Sequence, residues 1–357
     1  MHSVHRKTSL LFAAAALAVA ALCKAADNPA SAPAAPAPRP FVALLLPVDA
    51  PDFTPPAEAV LDGCRAALDM VAGKPGLELV RTDASPGQIM TSHAAAAARG
   101  ASVIVGPMTR SGVTALAESG NIGTLTLALN APERPMAMPR NLYTFGLSID
   151  LEARQVARSA YAGNLRDAII VRSASVLSRR ASHAFAEEWA ALGGKLSEVQ
   201  EFDAKTDLAR LQERLNRYGP HLFFLSADPG EARSVRPYLN TQVPVFATSR
   251  INSGRADPLV NLDLNGIRFV EMPWLVQPDN LTAMIYPRPD LLAPALQRFY
   301  ALGIDACRIA NEFLSQRTRV YLEGITGTLT LKAGGTIERV AMPSVFRDGA
   351  AVALDER

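Results

Sequence analysis

Apolar runs and amphipathic stretches alternate along most of the chain, and their periods define the elements. Phe41–Leu46 is a continuous apolar run stopped by Pro47, the pattern of a central parallel strand covered on both faces. From Ala57, residues Val60, Cys64, Leu68 and Val71 recur at helical spacing as far as Gly73, which predicts an amphipathic helix. Leu77–Arg81 then reads as a strand, Gln88–Arg99 as a helix with an alanine-lined buried side, and Val103–Val105 as a strand that stops at Gly106-Pro107. A helix from Ser111, a strand over Thr124–Leu129 and a short strand at Leu142–Leu147 close this first series.

A second series of the same kind begins once Ser148 caps the helix that follows. It comprises strand Ala168–Val171, helix Ser178–Leu192, strand Leu196–Phe202, helix Asp207–Tyr218, strand His221–Leu225, helix Pro229–Leu239 and strand Val243–Ala247. Repeated strand–helix alternation predicts an α/β protein whose mostly parallel sheets are flanked by helices. Two series imply two lobes that meet near residues 145–150, because each series is large enough for its own core.

The tail breaks the rhythm. Gly266–Val270 predicts a strand and Glu271–Trp274 an extended crossing segment, followed by helices over Leu291–Leu302 and Ile304–Leu314. Gly327–Leu331 and Thr336–Val340 alternate around Gly334-Gly335, a β-hairpin signal. Short strands follow at Ser344–Phe346 and Ala350–Ala353. Such a chain crosses between its lobes several times, which makes a hinged pair with a cleft. The expected division is residues 41–146 with 275–316 in lobe 1, and 147–274 with 317–357 in lobe 2.

The first 40 residues change the picture. His5-Arg6-Lys7 precedes the apolar run Leu10–Leu22, which is short for a bilayer span and reads as a signal peptide over residues 1–25. Cys23-Lys24-Ala25 offers small residues for ordinary cleavage; lipid attachment at Cys23 competes, but Leu22 stands where a lipoprotein signal prefers a small residue. Either route exports the protein to the periplasm. Residues 26–40 are a Pro/Ala-rich linker unable to bury a core. The formal charge of +2 depends on that leader: without Arg6, Lys7 and Lys24, 33 basic residues face 34 acidic ones. Near-neutrality removes the electrostatic case for nucleic acid or an anionic membrane. The remaining Cys64 and Cys307 could pair in an oxidising compartment, closing a long loop. Both also sit in apolar helical patterns, where a free thiol packs as a small hydrophobe.

Candidate chemistry is sparse. The sequence holds no G-x-S-x-G, H-E-x-x-H, C-x-x-C or P-loop lysine motif, so nothing proposes catalysis or a metal and no cofactor is expected. His93, His183 and His221 are widely spaced and read as core or surface histidines. Turns at the carboxyl ends of parallel strands converge on a cleft. Those turns supply Thr109, Arg110, Ser111 and Asn130 from the first lobe, and Ser175, Arg179, Asp228, Thr248, Ser249 and Arg250 from the second. Hydroxyls, amides and arginines fix a carboxylate or another small anion. Micromolar affinity takes about 8 kcal/mol against about 1.5–3 kcal/mol per charge-assisted bond, so both lobes must contribute. The competing expectation is that Arg110, Arg179 and Arg250 make interlobe ion pairs with Asp228 or Asp150.

Several stretches also carry a family resemblance. IVGPMTRSGVTALA, YTFGLSIDLEARQVA, VFATSRI, GIRFVEMPWL and YALGIDACRIA, with the closing GITGTLTLKAGGTIER, resemble the carboxyl-terminal domain of the LpoA/YraM penicillin-binding protein activators. The likeness covers residues 41–357. It implies a two-lobed type I periplasmic-binding-protein fold, and a role in stimulating a bifunctional peptidoglycan synthase by protein contact at the outer envelope. Where those activators carry an amino-terminal helical-repeat domain, residues 26–40 here are the Pro/Ala linker. The leading expectation is a non-enzymatic periplasmic protein that binds a penicillin-binding protein or another envelope partner. The alternative is a periplasmic receptor for an amino-acid-like or other small anionic ligand, feeding a transporter or sensor.

Overall fold

The computed structural model describes residues 39–354 apart from Ala256 and Thr318. The expected signal peptide and nearly all of the linker lie outside the described residues. Beyond them, five parallel strands form the first sheet: β1 (Phe41–Leu46), β2 (Gly76–Arg81), β3 (Val103–Val105), β4 (Thr126–Ala128) and β5 (Leu142–Thr144), in spatial order β2-β1-β3-β4-β5. Helices α1 (Thr54–Asp69), α2 (Pro86–Ala98) and α3 (Arg110–Glu118) connect them. Side chains start two of these helices: Ser85 Oγ accepts from Gln88 N, and Thr109 Oγ1 from Gly112 N, satisfying amide hydrogens that a helix's first turn leaves free.

The second sheet repeats the plan. Helix α4 (Ile149–Ala162), capped by Ser148, leads to β6 (Asp167–Ser173), α5 (Val176–Ala191), β7 (Lys195–Phe202), α6 (Leu208–Leu215), β8 (Leu222–Ser226), α7 (Pro229–Val235), β9 (Val245–Ala247) and β10 (Arg268–Glu271). The order β7-β6-β8-β9-β10 reproduces that of the first sheet, with the order reversing between the first and third strands of each. Two antiparallel strands, β14 (Met342–Arg347) and β15 (Ala350–Ala353), extend this sheet beyond β10.

Three one-turn helices, α8 (Pro258–Asn261), α9 (Pro273–Val276) and α10 (Leu281–Met284), precede the long α11 (Gln297–Leu314). Here the structure corrects the sequence reading. One helix replaces the two expected over Leu291–Leu314, and Pro273–Val276 is helical rather than extended. Gly303 does not interrupt α11; it lets α11 lie against α1. A Cβ at Gly303 would fall 2.1 Å from Val60 O, and one at Gly63 would fall 2.0 Å from Tyr300 O, so only glycine permits this crossing. Beside this crossing, Cys64 and Cys307 form a disulfide with their Cα atoms 5.2 Å apart.

The three-stranded antiparallel sheet of β11 (Tyr321–Glu323), β12 (Thr328–Leu331) and β13 (Ile337–Val340) also departs from the expected division. Residues 317–357 do not all go to lobe 2. Val320, Ile325, Leu329 and Ile337 pack into the first lobe's core, whereas Ala341 and Phe346 belong to the cores of the second. Trp274, just past β10, is buried in the first lobe's core as well. The chain therefore changes lobe near residues 145–148, 271–273 and 338–342.

His93 is a core residue of the first lobe, its Nε2 lying 2.9 Å from Thr126 Oγ1. Thr126 donates its own hydroxyl hydrogen to Thr124 O, so the ring nitrogen is the donor in that pair. Burial disfavours the imidazolium and lowers the pKa of His93 from its ordinary value of 6.5. The unfolded chain thus takes up this proton first as pH falls. Stability linked to His93 is complete above the unfolded value near 6.5 and drains away as pH falls from there toward the lower folded value. Urea unfolding at pH 7.5 and pH 5 will show a smaller pH-dependent loss in His93→Gln than in the parent. Equal losses would remove His93 from the acid sensitivity.

Candidate functional site

The sequence of the β3–α3 turn dictates its shape. Gly106 has φ 115° and backs onto β1, where a Cβ would meet Leu45 O at 2.1 Å. Only glycine accepts that dihedral and that approach. Thr109 then caps α3 and is buried, which delivers Arg110, the first residue of α3, to the space between the lobes. Its Nη2 donates to Pro132 O at 2.6 Å and to Glu133 O at 2.9 Å. Asn130 secures the neighbouring turn by donating from Nδ2 to Met108 O at 2.9 Å.

The facing wall comes from the turn after β9. Thr248 is buried, Ser249 opens a 3₁₀ turn, and Arg250 follows it. Ser249 donates through its backbone N at 3.0 Å and its Oγ at 2.7 Å to Glu152 Oε2, on the first turn of α4. Glu152 is itself buried and ion-paired with Arg339 of β13. Behind this, Arg298 of α11 joins Glu271 at the end of β10, and donates to Ser249 O at 3.2 Å and Asn252 O at 2.9 Å. Burial alone would depress the proton affinity of Arg298, but the charge and hydrogen bonds of Glu271 outweigh it and raise its pKa. Arg298 thus fastens a first-lobe helix to second-lobe loops.

These walls enclose a cavity of about 410 Å³. Of the ten residues expected at the cleft, Arg110, Asn130, Ser249 and Arg250 line it together. Thr109 and Thr248 lie buried just behind, shaping the two turns. Ser111 is half-buried on α3 and lines neither this cavity nor the groove outside it. Ser175 caps α5 and borders a separate pocket of about 220 Å³. Asp228 caps α7 in a reciprocal capping box with Glu231. Arg179 stands on a wider outer groove of about 910 Å³, bonded to Glu201 of β7 at 2.6 and 2.9 Å; the Glu201 hydrogen bonds, then its charge, raise the pKa of Arg179.

The expected ion pairs of Arg110, Arg179 and Arg250 with Asp228 or Asp150 are absent among the described residues. Asp150 pairs instead with Arg180, which also lines the inner cavity. The sequence reading missed Ser148, Glu152, Arg180, Met272, Arg298 and Phe299 on these walls. Arg180 had a legible signal, since a residue steps about 100° around a helix and its neighbour Arg179 faces β7.

Burial, and next the charge of Arg180, lower the pKa of Arg110, against the opposing pull of Asp150 and Glu133. The Nε atoms of Arg110 and Arg250 are both buried and meet no acceptor among the described residues. No group of three or more His, Cys, Asp or Glu side chains that could hold a metal occurs among the described residues.

Comparison with known proteins follows this geometry. The LppC putative lipoprotein family model matches residues 37–349. The penicillin-binding protein activator LpoA of Enterobacter sp. (strain 638) is 28% identical over 321 residues, covering 76% of this chain and 44% of its own length. The LpoA of Haemophilus influenzae is 27% identical over 285 residues, covering 76% of this chain and 48% of its own length. The chain thus spans about half the length of these curated relatives.

Among solved structures, a putative branched-chain amino acid ABC transporter from Chromobacterium violaceum superposes with TM-score 0.73 at 33% identity, over 86% of this chain and 100% of that one. The C-domain of H. influenzae LpoA (YraM), described as a regulator of PBP1A, superposes with TM-score 0.74 at 22% identity, over 88% and 100% of the two chains. The architecture is accordingly the type I periplasmic-binding-protein-like fold. With the family model spanning residues 37–349, the chain belongs to the LppC family of putative lipoproteins.

Proposed function

We propose that this protein is a non-enzymatic component of the cell envelope that binds a peptidoglycan synthase of the penicillin-binding type and regulates it by protein contact. One observation carries the reading: relatives named as penicillin-binding protein activators align across 67–88% of the chain. The LpoA C-domain matches over its whole length, so the chain corresponds to that domain. The site agrees with a regulator more readily than with a catalyst. Its carboxylates Asp150, Glu152 and Glu271 are each engaged by an arginine. Export follows from the leader at residues 1–25. The family match begins past Cys23, so mass spectrometry of the mature amino terminus decides between cleavage and lipidation.

The test combines affinity capture from envelope extract with a synthesis assay. Immobilised protein retains a penicillin-binding protein, and adding the protein raises glycan polymerisation or crosslinking by that enzyme. Absence of both retention and stimulation overturns the reading. A transport receptor is the weaker alternative, favoured by the 33% identity and the fold shared with the C. violaceum protein and by the fold shared with the putative Rhodospirillum rubrum transporter.

A further inference from the structure

We propose that the inner cleft binds a small dianion that carries no ammonium group, gripped between Arg110 and Arg250. The proposal goes beyond the synthase-binding reading and does not depend on it.

Two guanidinium groups face one cavity of about 410 Å³, a volume suited to a small molecule. Arg250 makes no side-chain hydrogen bond or ion pair among the described residues, and its buried Nε meets no acceptor. Arg110 also has a buried Nε without an acceptor, and its side-chain partners are the backbone oxygens of Pro132 and Glu133. A buried, unpaired donor on a charged group is costly to leave unsatisfied. Two such donors on opposite walls of one cavity, from different lobes, describe a site that lacks its counter-charge.

The charges around the cavity set the sign and size of that counter-charge. Arg110, Arg180, Arg250, Arg298 and Arg339 are set against Asp150, Glu152 and Glu271, a surplus of two positive charges. Glu133 lies on the exposed outer groove, outside ion-pair distance of Arg110.

The same pairings determine what the site rejects. Asp150 is held by Arg180; Glu152 by Arg339 and Ser249; Glu271 by Arg298, Asn252 and the Met272 amide. An incoming ammonium would have to take a carboxylate from an arginine. A zwitterionic amino acid is therefore disfavoured, which sets this site apart from an amino-acid receptor. Two carboxylates or one phosphoryl group suit Arg110 and Arg250 equally well, because both present paired oxygens to a guanidinium fork.

Isothermal titration calorimetry on the mature chain tests this with three probes: glutarate, inorganic phosphate and leucine. Glutarate, phosphate or both bind saturably, and added salt weakens them; leucine does not bind. Glutarate alone assigns dicarboxylate chemistry, and phosphate alone assigns phosphoryl chemistry. Arg110→Gln and Arg250→Gln each weaken binding by about tenfold or more. Arg250→Gln does not lower the unliganded melting temperature, because Arg250 is half-buried and makes no side-chain hydrogen bond or ion pair among the described residues. Arg110→Gln also gives up the bonds to Pro132 O and Glu133 O, so Arg250→Gln carries this readout. That second readout separates a ligand-binding arginine from a structural one. The proposal is overturned if neither anion binds up to about 10 mM, if leucine binds as well as they do, or if both variants bind like the parent. It is also overturned if Arg250→Gln melts well below the parent.

Discussion

Arg298→Met will destabilise the protein by about 3–5 kcal/mol, the cost of leaving one member of a buried ion pair without its partner. Glu271 is 0% exposed. One carboxylate oxygen accepts from the Met272 amide at 3.0 Å and from Arg298 Nε at 3.2 Å; the other accepts from Asn252 Nδ2 at 2.9 Å and from Arg298 Nη2. Removing Arg298 leaves a carboxylate that water cannot reach, and it also strips donors from Ser249 O and Asn252 O. The matched double variant, Arg298→Met with Glu271→Gln, should recover a large part of the loss because no uncompensated charge remains. Urea unfolding gives both numbers through the midpoint at constant m. A single-variant loss under about 1 kcal/mol, in the range of an exposed pair, would show that the pair does not lock the lobes.

The same pair marks where sequence reasoning stops. The first and second strand–helix series are legible because each period is local: alternation, caps and Gly-Pro stops lie within a few residues of one another. Ser148 announces α4, and Gly334-Gly335 announces the β12–β13 hairpin. Arg298 and Glu271 are 27 residues apart, and Glu152 and Arg339 are 187 apart. Nothing in the sequence near either residue of a pair reveals the other. Arg298 sits in a stretch where a polar residue reads as a solvated helix face; only the closure of the lobes buries it.

The cleft residues divide on the same principle. Arg110, Asn130, Ser249 and Arg250 follow β3, β4 and β9 and reach the cavity, whereas Asp228 follows β8, the counterpart of β3 in the second sheet, and Ser175 follows β6, and both of these serve as helix caps. The rule that ligands gather at strand ends finds the right edge of the sheet. It does not say which of the turns on that edge the opposite lobe will cover.

Breaking the Cys64–Cys307 bond, by the double substitution Cys64→Ala with Cys307→Ala, will cost about 3–5 kcal/mol. The bond joins residues 243 apart, and the loop it closes runs from β2 through β10 to α10, taking in most of the second lobe but not β14 and β15. In the chain-entropy description a loop of that length gives about 5 kcal/mol, because the linked denatured chain has fewer conformations to lose on folding. The topology makes the effect local. The first lobe is assembled from two distant chain segments, the β1–β5 region and α11, and the disulfide joins their contact helices α1 and α11 at the glycine crossing. Hydrogen exchange should therefore accelerate in α1, α11 and β1 far more than in β6 and β8. Both sulfurs are fully buried, so the native protein should resist reductant that readily reduces the urea-unfolded chain. The unlinked chain should also show a slightly larger m, since its denatured state exposes more surface. An unchanged midpoint, or protection lost equally in both lobes, would mean that packing at Gly63 and Gly303 already holds the two segments together without the covalent link.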